Sequence, residues 1–229
     1  MYIKCILLLI ITVVQSLKII NCKPGGLYGF YMLGVSKYMK EHYSFKDSVF
    51  YGASAGAWNS LYLTLKKDDK KFLDYMENIE VSNIKNMFSI EEILKKFILD
   101  NYKYSDFEID KINICVGIIN NYKIQKKIFT DFDSLEDVLD CCIASSHIPY
   151  ITNNKPFFLY KNESCIDGGF FSDPLPENTH SDLILSPEIW NATHINHFSK
   201  IKTLDIKRLI KEGYEDSYRN RNELSKRLL

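Results

Sequence analysis

The sequence predicts an α/β domain on three observations: short apolar strands recur, each runs into a glycine-rich turn, and each turn opens a segment with helical apolar spacing. A chain of 229 residues, 46% hydrophobic and 25% charged, suffices for one such domain with its own core. Lys+Arg 29 against Asp+Glu 29 gives a formal net charge of +0, so charge gives no reason to expect a nucleic acid partner. Aromatics at 14% allow both a large core and an apolar substrate surface.

The first sixteen residues carry Lys4, an apolar run from Cys5 to Val14, then Gln15 and Ser16. That run is well short of the about 20 residues a bilayer-spanning helix needs. One cation, a short apolar core and a small residue at the end read as a secretory signal peptide over residues 1–16, cut near Ser16. The alternatives are a long buried first strand, or an uncleaved anchor continued through Leu17 to Ile20. Residues 17–229 then form a single domain, secreted or endomembrane-associated if the leader functions and otherwise cytoplasmic at lipid surfaces. Removing Cys5 leaves Cys22, Cys115, Cys141, Cys142 and Cys165, an odd set that makes no disulfide framework.

Leu17 to Cys22 reads as a strand, followed at once by Pro24, Gly25, Gly26 and Gly29. Tyr31, Gly34, Val35, Tyr38 and Met39 then repeat at helical spacing. Ser48 to Tyr51 is a second strand; it enters Gly52-Ala53-Ser54-Ala55-Gly56, after which Trp58, Leu61, Tyr62 and Leu65 mark another helix. Two helices are expected between Lys70 and Leu99, the second with Ile90, Ile93, Leu94, Phe97 and Ile98 on its apolar face. Lys111 to Ile119 alternates, and Asn120-Asn121 turns it into Tyr122 to Thr130 as a hairpin. Ser134 with Asp137 resembles a capping box for a helix that stops before Pro149. Phe157 to Tyr160, Ser164 to Ile166 and Asp182 to Ser186 read as short strands, and Leu204 to Tyr218 as a terminal helix.

The chemistry concentrates in three places. Gly52 and Gly56 frame Ser54 as G-x-S-x-G, a strand-to-helix turn that exposes an otherwise poor nucleophile. Gly25 and Gly26, after the first strand and before a helix, offer backbone N–H groups to a developing oxyanion. Asp167 stands where a strand ends, followed by Gly168 and Gly169, and can accept the Ser54 proton directly if burial raises its basicity. The other route is a triad in the chain order Ser54, Asp167, then His180, His194 or His197; His42 and His147 complete the histidines.

Together these residues resemble the patatin-like phospholipases. The resemblance lies in the loop from Pro24 to Gly29 with the helix onset Phe30 to Val35, the elbow Gly52 to Ala57, and Asp167-Gly168-Gly169 running on to Pro176. Ala144 to Pro149 and Gly213 to Asp216 are similar to segments of the adipose triglyceride lipase branch. The resemblance implies a three-layer α/β/α sandwich with a central, mostly parallel sheet. It implies Ser54 as nucleophile, Asp167 as general base, and N–H groups near Gly25, Gly26, Leu27 and Ala55 as the oxyanion hole. The implied activity is hydrolysis of acyl esters at a lipid or membrane surface, of phospholipase A or acylglycerol lipase type, with no metal and no organic cofactor. Two positions depart from the family pattern: Pro24 replaces the loop's first glycine, and Tyr28 replaces the basic residue before its last. Pro24 removes one N–H donor. Loss of the cation shifts the expectation towards neutral acyl esters, and a lipid-binding domain without catalysis is the further alternative.

Overall fold

The structure is a computed structural model, and it describes residues 17–80, 84, 86–171, 173–190 and 204–229. The leader, the histidines at 194 and 197, and Ser172 lie outside the described residues. The described part is a mixed α/β sheet flanked by helices, as the alternation of strands, glycine turns and helices requires.

Four parallel strands form its centre: β1 (Lys18–Cys22), β2 (Ser48–Gly52), β3 (Ile112–Asn120) and β7 (Leu183–Leu185), in the order β3-β2-β1-β7. Lys18 to Ile20 therefore belong to the sheet, with Lys18 opposite Ser48. Three shorter or edge strands, β4 (Lys123–Phe129), β5 (Phe158–Tyr160) and β6 (Glu163–Ile166), pair antiparallel. The hairpin joining β3 to β4 turns at Asn121 and Tyr122, one residue later than expected, with both residues at positive φ (48° and 61°). Two consecutive left-handed residues match the right-handed twist of the flanking strands, so the turn settles there.

Between the strands run α1 (Gly29–His42), α2 (Ala55–Thr64), α3 (Lys70–Glu77), α4 (Met87–Asn101) and α5 (Leu135–Ser145), with α6 (Ile206–Arg219) and α7 (Arg221–Leu228) closing the chain. Ser134 Oγ accepts the Asp137 N–H at 3.0 Å, while the Asp137 carboxylate takes the Asp133 N–H at 3.0 Å, a capping box displaced by one residue. Ile20, Phe50 and Leu183 pack under Tyr31 and Val35 of α1; Ile114, Val116 and Ile118 pack under Val138, Leu139 and Cys142 of α5. Among the described residues no helix is long and apolar enough to cross a membrane.

The segment Gly213 to Asp216 locks α6 onto α1. A Cβ on Gly213 would lie 2.0 Å from the Tyr31 carbonyl oxygen and one on Gly34 2.0 Å from that of Ile210, so the two helices cross at backbone contact. The Tyr31 hydroxyl then donates to Asp216 Oδ2 at 2.9 Å. This crossing fixes the helix whose first turn carries Gly29 and Phe30.

Candidate active site

Cys22, Gly52 and Ile114 stand in one row across β1, β2 and β3, so the glycine loop after β1 and the elbow after β2 leave the sheet at the same level. The C-terminal ends of parallel strands are where α/β sheets place ligands. Ser54 adopts φ 54° and ψ −128°, a conformation with a real cost for a residue carrying a Cβ. The turn closes tightly because Gly56 has no side chain: a Cβ there would sit 1.9 Å from the Cys22 carbonyl oxygen.

Asp167 reaches this point by an arrangement of strands that local sequence does not encode. Ile114 pairs with both Gly52 and Phe129, and Gly117 with both Lys126 and Ile166. With β4 along one edge of β3, β2 and β6 must share the other. Because β2 runs parallel to β3 and β6 antiparallel, they approach head-on with their C-terminal ends facing. Gly52 and Ile166 are three β3 residues apart in register, about 10 Å at a strand's rise. Ser54 and Asp167 fill that gap. The Ser54 hydroxyl donates to Asp167 Oδ2 at 2.9 Å.

The acid is held from three sides. Its own N–H donates to the His147 carbonyl at 2.7 Å, Oδ1 accepts the Gly169 N–H, and Gly168 packs against the Cys115 carbonyl. Burial pushes the Asp167 carboxyl up to about 6, with the Gly169 N–H and the Ser54 hydroxyl opposing the rise. Desolvation dominates, and it leaves a carboxylate basic enough to accept a proton near neutral pH.

Ser145 bridges the same gap; the sequence reading includes it in the segment Ala144 to Pro149 but gives it no role, because a small residue in a helix does not show where its hydroxyl goes. Its fully buried hydroxyl donates to the Cys115 carbonyl at 2.7 Å and accepts the Ser54 N–H at 2.9 Å. Removing it strands two buried backbone groups at about 1–3 kcal/mol each. Ser145→Ala is therefore expected to lower unfolding free energy by about 2–6 kcal/mol in urea titrations. Asn59, also missed, ties elbow to loop: its Nδ2 donates to the carbonyls of Gly29 (3.1 Å) and Ala55 (2.9 Å) and its Oδ1 accepts from Ser36 (3.0 Å).

Gly26, Leu27, Gly29, Ser54 and Ala55 line one pocket. Gly26, at φ 52°, opens a single 3-10 turn ending at Tyr28. The Gly56 and Ala57 N–H groups go to the carbonyls of Ala53 and Ser54, whereas the Ala55 N–H stands at the first position of α2, where a helix supplies no acceptor. Gly25 lies behind this wall, where a Cβ would come within 2.8 Å of Met32 Sδ. Pro24 packs against Gly169, joining the loop to the turn that holds the acid.

The family of this fold is shown by comparison: the family model described as patatin-like phospholipase matches residues 25–179, well over half of the chain, spanning the loop, the elbow and the acid. The chain belongs to the patatin-like phospholipase family. Domains of this family are typically lipid acyl hydrolases, which supports a lipolytic acyl hydrolase at the family level. No curated protein matches the chain significantly.

In this patatin-like domain no ring of a described histidine bonds to Ser54 or Asp167; His147 meets the acid only through its backbone carbonyl. The His147 ring contacts the Lys155 carbonyl at 3.1 Å, and burial lowers its basicity. His42 stacks on Tyr38, and His180 is exposed.

Proposed function

We propose that this patatin-like chain is a serine-dependent lipolytic acyl ester hydrolase, of phospholipase A or acylglycerol lipase type, working through a Ser54–Asp167 dyad. The observation that carries the reading is the 2.9 Å hydrogen bond from the hydroxyl of Ser54, on a strained elbow, to a half-buried Asp167 whose basicity desolvation raises. Ser54 Oγ attacks the ester carbonyl while its proton passes to Asp167; Asp167 returns it to the leaving alcohol, and water releases the acyl group by the reverse route. The N–H groups of Ala55, Gly26 and Leu27, with Gly25 behind them, are assigned to the oxyanion. Nothing in this sequence of steps calls for a metal or an organic cofactor.

Beyond Ser54 and Ala55 the pocket is walled by Phe30, Leu33, Trp58, Phe72, Met76 and Leu94, a lining that fits an alkyl chain. Tyr28 at the position of a basic residue supports neutral acyl esters over phosphate-bearing ones, and the partner is accordingly a lipid surface. The reading is tested with a fluorophosphonate probe and peptide mapping, alongside mass spectrometry of lipids released by the purified protein. Labelling is expected at Ser54 together with release of free fatty acid. Native protein that neither labels at Ser54 nor releases fatty acid overturns the proposal.

A further inference from the structure

The acyl pocket contains a side chain that an alkyl chain does not want. Glu91 of α4 lines it between Ile90 and Leu94, yet is only 6% exposed, and its Oε2 has no hydrogen-bond partner among the described residues. Trp58 and Ser146 face the carboxyl and partly offset its burial, but neither makes a hydrogen bond to Oε2. The Trp58 indole N–H is donated to Ser146 Oγ at 3.2 Å, and the Ser146 hydroxyl to the Cys142 carbonyl at 2.9 Å. The other polar side chains of the wall are also committed: Asn59 to Gly29, Ala55 and Ser36, and Thr152 to Ile148 and Ser146.

The helix is turned so as to bring this group in. Ile93, placed on the apolar face by spacing, is 38% exposed, while Glu91 is buried. Exposing an isoleucine and burying a carboxyl with one oxygen unbonded both oppose folding, and functional sites are among the places where such local conflicts are kept. Burial also pushes the Glu91 carboxyl well above the usual carboxylate range, which favours the protonated form, able both to donate and to accept.

We infer that the pocket selects fatty acyl chains bearing a hydroxyl or carbonyl group, that is, oxygenated acyl esters, with Glu91 as the side chain that recognises the added oxygen. The inference rests on the hydrolase reading for its substrate, but binding can be measured separately. Glu91 stands beside Trp58, which follows Ser54 by one turn of α2, about 5–6 Å of helix. The recognised oxygen therefore belongs to the part of the chain nearer the ester. A plain alkyl chain buries the Glu91 oxygen without a partner, and a chain with a hydroxyl at the right carbon satisfies it.

The experiment compares nitrophenyl octanoate with a series of monohydroxylated octanoates in which the hydroxyl moves along the chain. Wild type, Glu91→Gln and Glu91→Leu are assayed. At one hydroxyl position wild type is expected to show kcat/KM about tenfold or more above the plain ester, one hydrogen bond's worth of discrimination. Glu91→Gln keeps the preference, and Glu91→Leu reverses it in favour of the plain chain. In parallel, Ser54→Ala is titrated with the matching methyl esters by tryptophan emission, where the hydroxylated ester binds more tightly. Wild type favouring the plain chain at every position, equal turnover of all esters, a preference retained in Glu91→Leu, or no binding of either ester each overturns the inference. Tighter binding of the hydroxylated ester without turnover of any ester upholds it while removing the hydrolase reading.

Discussion

Ser54→Ala is expected to keep the fold and lose esterase turnover by about 10⁴-fold or more, the scale seen when a nucleophile acting as part of a unit is removed. The Ser54 side chain contributes no cap to α2, and its N–H bond to Ser145 is made by the backbone, so the elbow survives the change. Stability gives a second, independent reading. The φ of 54° and ψ of −128° at Ser54 are glycine conformations, and a Cβ held there is strained by about 1–3 kcal/mol. Ser54→Gly relieves that strain and gives back part of it through the greater freedom of glycine in the unfolded chain. The glycine variant should therefore be more stable than the alanine variant in urea titrations, with neither active. Turnover by Ser54→Ala within tenfold of wild type would remove the nucleophile assignment.

Asp167→Asn should lower turnover by about 10²–10⁴-fold, the contribution of a positioned general base. The amide oxygen can still take the Gly169 N–H, but its nitrogen then faces Ser54 Oγ and cannot accept a proton. The pH dependence carries a sign. Burial raises the Asp167 carboxyl to about 6, so wild-type kcat/KM should rise with pH up to that region and level off above it. The asparagine variant lacks that limb. Stability runs the other way. Between the usual Asp range and about pH 6 the folded protein binds a proton that the unfolded chain has released, so Asp167 lowers stability as pH rises through this window. At pH 7 to 8, Asp167→Asn should be more stable than wild type by on the order of 2–3 kcal/mol, at about 1.4 kcal/mol per pH unit, and the gain should vanish near pH 4. Thermal unfolding at several pH values measures it; a variant less stable than wild type at neutral pH would contradict a desolvated, ionised acid.

Much of this site was legible because its parts are local. The elbow needs a glycine before and after the serine within a few residues, and Gly52, Ser54 and Gly56 sit together in the chain. Asp167 with Gly168 and Gly169 is equally local, though as a bare string it reads as a turn. Ser145 and Asn59 were not legible, since a small or polar residue in a helix gives no sign of whether its hydroxyl or amide faces water or a buried carbonyl. Glu91 was hidden for a related reason. Spacing assigned Ile93 to the inside of α4, and only the packing of that helix over the pocket shows that the carboxyl goes in and the isoleucine out. The one-residue shift of the β3–β4 turn has the same character, set by the twist of the paired strands rather than by the asparagines alone.

The sequence by itself determined the α/β alternation, the strained serine turn and the glycine loop beside it, because strand period, helix period and turn chemistry act over a few residues. Tertiary structure alone decided that the acid meets the serine. That meeting depends on β2 and β6 sharing one edge of β3 in opposite directions, with Ser145 spanning the gap between their ends. Strand direction and edge are settled by long-range pairing and burial, and no local pattern records them.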